Sequence, residues 1–177
     1  LAVVHGIVES YNGKITVDSE LNKGTNFSVY LPITKKRNTY SNSETSDLPS
    51  GNERILFVDD EASITKMGGR ILGQLGYSVT TRTNSIEALE LFRSKSQDFD
   101  LVITDMTMPN MTGDKLAVAL MKIRPDIPVI LCTGYSQIIS EKNAADIGIK
   151  SFAYKPIVQA DLAKTVRKTI DESQNQL

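Results

Sequence analysis

The chain has 177 residues, with 40% apolar and 23% charged side chains, the balance of a water-soluble globular protein long enough to bury a core. A formal net charge of −1 with scattered Lys and Arg leaves no electrostatic footprint for nucleic acid or anionic lipid, and a single cysteine, Cys132, excludes an intrachain disulfide and suits a reducing compartment. No apolar run approaches the roughly 20 residues of a membrane helix and no signal-peptide pattern opens the chain, so we expect a cytoplasmic segment without membrane contact of its own, belonging to a longer protein because it begins at Leu1.

In chain order, "LAVVHGIVESYNG" has helical spacing and an Asn12-Gly13 stop. "KITVDSE" and "TNFSVYLP" then alternate with the period of strands, so Ile15 and Val17 face the same way as Phe27, Val29 and Leu31, with Asn22-Lys23-Gly24 as the turn. One helix and one hairpin in about 34 residues are too little for a stable core unaided. Residues 35–52, "KKRNTYSNSETSDLPSGN", carry only Tyr40 and Leu48 as sizeable apolar side chains. They read as a flexible linker reaching about 20 to 25 Å.

Beyond it, strand and helix patterns alternate five times. Strands are expected near 54–58 ("RILFV"), 77–82 ("YSVTTR"), 100–104 ("DLVIT"), 127–132 ("IPVILC") and 150–154 ("KSFAY"). Between them, "ASITKMGGRILGQLG" places Ile64, Met67, Ile71 and Leu75 on one stripe, and "SIEALELFRSK" does the same with Ala88, Leu91 and Phe92. Alternating β and α units with short loops, and middle strands apolar throughout, imply an α/β fold with a parallel sheet covered by helices on both faces.

The polar residues collect at one edge of that scheme. Asp59, Asp60 and Glu61 follow the first strand, Asp105 the third, Thr133-Gly134 the fourth and Lys155-Pro156 the fifth. In such sheets a site forms at the carboxyl ends of the strands, although an Asp there also serves as a plain helix cap. Carboxylates about 5 Å apart repel by about 3 kcal/mol per pair at an effective dielectric of 20, so the cluster holds either a proton or a cation. Oxygen donors without His or Cys, open to water, suit Mg²⁺. A carboxylate beside Mg²⁺, a hydroxyl and a lysine is an arrangement for phosphoryl transfer, with Asp105 as nucleophile, Lys155 neutralising charge and Thr133 donating to a phosphoryl oxygen.

"FVDDE", "DLVITDMTMPNMTG", "VILCTGY" and "FAYKP", in this order and spacing, resemble a response-regulator receiver domain over residues 53 to about 173, about two thirds of the chain. The resemblance implies a receiver domain at 53–177, folded as a doubly wound, flavodoxin-like sheet of five parallel strands in the order 2-1-3-4-5. It implies that Asp105 is the phosphate acceptor, Asp60 a direct Mg²⁺ ligand, Asp59 an acidic partner acting on Mg²⁺ largely through water, and Thr107 the donor of a backbone carbonyl to the metal. Thr133 matches the switch hydroxyl, Phe152 the switch aromatic and Lys155 the lysine of the site. Pro109 and Gly113 match the turn after the acceptor, and Pro156 a peptide bond that is often cis. Ile64, Met67 and the Pro156 loop match a surface that docks a histidine-bearing helix, and Thr107 and Tyr135 lie where access of water to the aspartyl phosphate is tuned.

"LAVVHGIVESYNGKITVDSELNKGTNFSVYLP" resembles the tail of a histidine-kinase ATP-binding domain, with Gly24-Thr25 at the border of the nucleotide pocket. The loops that grip ATP in such domains are not among these residues, and His5 is expected on a helix surface rather than as a phosphorylated histidine. The expected whole is the end of a hybrid sensor histidine kinase: a remnant at 1–34, a linker at 35–52 and a receiver that takes a phosphoryl group from a phosphohistidine. Its partners would be the dimerisation and phosphotransfer helices of a kinase or a histidine phosphotransfer protein, with no nucleic acid. The enzymatic character is limited to promoting its own phosphorylation and dephosphorylation. The alternatives are a phosphorylation-independent pseudo-receiver, which would lack an acid or the lysine, and a phosphoaspartyl hydrolase, whose nucleophile follows its first core strand rather than its third.

Overall fold

The computed structural model describes residues 2–33, 48–134, 148–149 and 151–175. Residues 35–47 of the linker expected at 35–52, the helix expected between the fourth and fifth strands of the sheet, and Tyr135 lie outside or largely outside these. The backbone forms two compact units, residues 1–42 and 43–177.

In the first unit, α1 (Ala2–Ser10) precedes an antiparallel hairpin of β1 (Lys14–Glu20) and β2 (Gly24–Tyr30). Asn12, at φ 53°, ends the helix, and the Gly13 N–H closes back onto the Val8 carbonyl at 2.8 Å. The register pairs Ile15 with Val29 and Val17 with Phe27, so the apolar residues share one face as their alternation predicts. Val8 is buried, whereas Val17, Phe27 and Val29 on that face stay about half exposed.

The second unit holds a sheet of five parallel strands: β3 (Arg54–Val58), β4 (Ser78–Arg82), β5 (Leu101–Asp105), β6 (Val129–Gly134) and β7 (Ser151–Lys155), in the order β4-β3-β5-β6-β7. Renumbered within the sheet this is 2-1-3-4-5, the doubly wound, flavodoxin-like order. The helices are α2 (Ala62–Gln74), α3 (Ser85–Ser94), α4 (Gly113–Ile123) and α5 (Gln159–Gln174). Two apolar layers enclose the sheet: one of Leu56, Val58, Phe92, Val102, Leu116, Leu120 and Leu131, the other of Ile55, Phe57, Leu72, Ile103, Ile130, Leu162 and Val166. Successive residues of β3 and β5 alternate between these layers, which is why both strands are apolar over Ile55–Val58 and Leu101–Ile103.

The buried stripe of α2 differs from the expected one. Thr65, Gly68 and Leu72 face inward, Ile64 and Ile71 flank them and Met67 is 42% exposed. The cause is Phe57: a Cβ on Gly68 would stand 2.6 Å from its ring, so the helix presents its glycine to the largest side chain beneath it. Asn84 caps α3, its Oδ1 accepting from the Ile86 N–H at 2.8 Å and the Glu87 N–H at 3.3 Å. The strand ends differ from expectation by one or two residues, so that Asp105, Thr133 and Lys155 belong to the strands themselves.

Candidate functional site

Parallel pairing aligns the carboxyl ends of β3, β5, β6 and β7. Asp105 lies level with Cys132, and Gly134 level with Lys155, so the last residues of three strands meet at one edge just beyond Val58. Asp59, 1% exposed, donates its N–H to the Arg82 carbonyl at 3.2 Å, and its Oδ1 accepts the Glu61 N–H at 2.9 Å. Asp105 is also buried, and its Oδ2 accepts the Thr107 N–H at 2.8 Å.

Each carboxylate therefore has one oxygen fixed by the backbone, and the other meets the same cation. Lys155 Nζ lies 2.8 Å from Asp59 Oδ2 and 2.6 Å from Asp105 Oδ1. Burial presses the Lys155 pKa down, but the hydrogen bonds and charges of Asp105 and Asp59 outweigh it and leave the ammonium above its ordinary value. Burial pushes the neighbouring Cys132 thiol up to about 12, so it stays protonated and inert beside the acids.

A cavity of about 480 Å³ opens over this group, lined by Asp59, Asp60, Glu61, Asp105, Thr107, Gly134 and Lys155. Four carboxylates against one ammonium leave a formal charge of −3 at its mouth, assembled from oxygen donors alone. That excess and that donor set fit a hard divalent cation such as Mg²⁺. Among the described residues no three acidic, His or Cys side chains already stand around one point, and Lys155 occupies the space between Asp59 and Asp105.

Of the residues singled out in the sequence, Asp59, Asp60, Asp105, Thr107 and Lys155 come together at the cavity. Thr133 is buried at the end of β6, where its hydroxyl donates to the Gly134 carbonyl at 3.3 Å, and Gly134 rather than Thr133 reaches the wall. Phe152 is half-buried in β7, level with Leu131. Ile64 and Met67 lie three residues apart on α2, and Pro156 is exposed behind Lys155 across a cis peptide bond. Glu61, a third acid in the sequence after the Asp pair, lines the cavity and precedes α2, accepting a hydrogen bond from Ser63 Oγ. Its place directly after the Asp pair was the available signal.

The response-regulator receiver model matches residues 55–167. The chain belongs to the response-regulator receiver family. It is 33% identical over 97% of its length to the sensor kinase CckA of Brucella abortus, of which it spans 19%. It is also 33% identical, over 67% of its length, to the probable transcriptional regulator ycf27 of Porphyra purpurea, of which it spans 47%. A receiver-domain structure from Clostridium thermocellum superposes with a TM-score of 0.67 at 30% identity, covering 71% of this chain and 99% of that one. The chemotaxis protein CheY4 of Vibrio cholerae gives 0.61 at 27% identity, covering 67% and 99%. The chain is thus a receiver of two-component signal transduction, and it spans only a fraction of the length of the curated relatives it matches. No described helix is long and apolar enough to cross a membrane.

Proposed function

We propose that this receiver accepts a phosphoryl group from a phosphohistidine onto Asp105, as a relay module of a hybrid sensor histidine kinase. The observation that carries the reading is the Lys155 ammonium held between Asp59 and Asp105 at the open carboxyl edge of the sheet. An Asp105 oxygen attacks phosphorus in line as the phosphorus–nitrogen bond to the imidazole breaks, giving an acyl phosphate and a free histidine. The Thr107 N–H fixes one Asp105 oxygen, and Lys155 balances charge on the acceptor before transfer and on the phosphoryl oxygens after it. Asp59, Asp60, Asp105 and the Thr107 carbonyl would hold Mg²⁺, which supplies further neutralisation of the phosphoryl oxygens.

Thr133 then turns its hydroxyl toward the new phosphoryl group and Phe152 follows into the space it leaves, which makes this pair the switch. Donor helices, from the kinase or from a histidine phosphotransfer protein, dock on Ile64, Met67 and the Pro156 loop. The half-exposed face of Val17, Phe27 and Val29 supports reading residues 1–34 as part of a larger kinase ATP-binding domain, and the relay would then work in the cytoplasm. Intact-mass measurement of the chain with acetyl phosphate tests the acceptor chemistry. One added phosphoryl group that requires Mg²⁺ is expected, and no adduct, or one indifferent to metal, would favour a phosphorylation-independent interaction module.

A further inference from the structure

The residues that lead into β3 are seated on the receiver. Leu48, expected in a flexible linker, packs against the apolar layer that contains Leu72, Leu75, Tyr77 and the inner face of α5. The Gly51 N–H donates to the Leu75 carbonyl at 3.1 Å. Glu53 Oε2 accepts the Asn52 N–H at 3.0 Å, and Glu53 Oε1 takes Arg167 Nη1 of α5 at 2.8 Å. Arg167 in turn binds Asp171 one turn on, at 2.8 Å through Nη2.

This seat has no slack. A Cβ on Gly51 would overlap the Glu53 carboxylate and stand 2.6 Å from the Tyr77 ring and 2.9 Å from Arg167 Nη1. A Cβ on Gly76, whose φ of +96° already favours glycine, would stand 2.5 Å from the Gly51 carbonyl oxygen. With side chains 15% and 23% exposed, Glu53 and Arg167 meet largely out of water, so their attraction is less screened than that of a surface pair.

The other end of α5 follows the strand that carries Lys155. The helix begins four residues after Lys155, and its first two turns border a groove of about 280 Å³ lined by Tyr154, Pro156, Val158, Asp161 and Thr165, among others. Its later turns are held by Arg167 and by Thr169 Oγ1 against Ser151 Oγ at 2.7 Å. α5 thus runs from the strand end that carries Lys155 to the clasp, with Leu162, Ala163 and Val166 buried along its inner face.

We propose that Leu48–Glu53 and Arg167 form a clasp through which the linker and the phosphoryl site are energetically coupled, an inference that rests on the receiver reading above. A changed position of Lys155 alters the seating of α5 and hence of the clasp, and by reciprocity a broken clasp alters the affinity of the site for its phosphoryl group.

The test uses the whole 177-residue chain with beryllofluoride and Mg²⁺ as the phosphoryl mimic, followed by fluorine NMR. In the wild type, uptake should change hydrogen exchange of the Gly51 amide. Glu53→Gln, Arg167→Gln and their combination should each shift beryllofluoride affinity by one common factor, roughly fivefold or more. A clasp that is only structural would lower stability equally with and without the mimic. Unchanged affinities with an unresponsive Gly51 amide in a loaded protein would therefore overturn the proposal while sparing the receiver reading. No uptake by the wild type would overturn both. If Glu53→Gln does not fold, Arg167→Lys replaces it.

Discussion

Lys155 Nζ lies 2.6 Å from Oδ1 of Asp105, so the Asp105 carboxylate is held by the same ammonium that pairs with buried Asp59. Lys155→Met would leave two buried carboxylates facing each other without a cation. We expect a loss of about 1–3 kcal/mol in metal-free buffer, measured by urea unfolding, together with loss of phosphorylation by acetyl phosphate. Because the folded-state pKa of Lys155 lies above its ordinary value, its contribution is complete through neutral pH and disappears only as pH rises above the usual lysine range of about 10.4.

The opposite edge of the sheet gives an acid-side prediction. Asp100 accepts from the backbone N–H, Nε and Nη2 of Arg54 at 2.8, 3.0 and 2.8 Å, and these hydrogen bonds hold its carboxyl below the usual aspartate value. Its stabilising effect is therefore present above a pH of about 4 and is lost as pH falls through the lowered folded-state pKa. Melting temperatures of the wild type and Asp100→Asn, followed from neutral pH downward, should differ near pH 6 and converge in acid.

Two glycines of α2 should respond with opposite signs. Alanine at Gly68 would press its Cβ to 2.6 Å from the Phe57 ring, a clash in a filled core that costs about 1–3 kcal/mol. Gly73 has nothing within 4 Å of the corresponding position, so Gly73→Ala should stabilise by about 0.5–1 kcal/mol through helix propensity alone. Urea midpoints of the two variants decide both.

Gly113 begins α4 directly against Asp105: its N–H bonds the Met106 carbonyl at 2.9 Å, and a Cβ would overlap the Asp105 carbonyl oxygen. Gly113→Ala should displace Asp105 from Lys155 and Thr107. The acetyl phosphate reaction should slow by roughly tenfold or more, the scale of small misplacements of a reacting group, in protein that remains folded by circular dichroism.

Much of this was legible because the relevant signals are local. The run Leu101–Asp105 reads as a buried strand ending in a carboxylate, and parallel order then sends Asp59, Asp105 and Lys155 to the same edge whatever the helices do. What periodicity could not show depends on contacts distant in sequence. Ile64 and Met67 fit a helical stripe, but Phe57 draws Gly68 inward and leaves Met67 half out. The polar run around Leu48 looks like free linker because its seat is made by Leu75, Tyr77 and Arg167, which no short window contains. Lys155 can be read off "FAYKP", but its insertion between Asp59 and Asp105 is a property of β7 lying level with β6.

The central claim is that Asp105 carries the phosphoryl group, and reductive trapping tests it most directly. The chain is incubated with acetyl phosphate and Mg²⁺, reduced with borohydride, which acts on the acyl phosphate, and mapped by peptide mass spectrometry. A single reduced side chain at position 105, absent from Asp105→Asn, is the predicted result. Reduction at Asp59 or Asp60 instead, or none in protein that gained phosphoryl mass, would contradict the account.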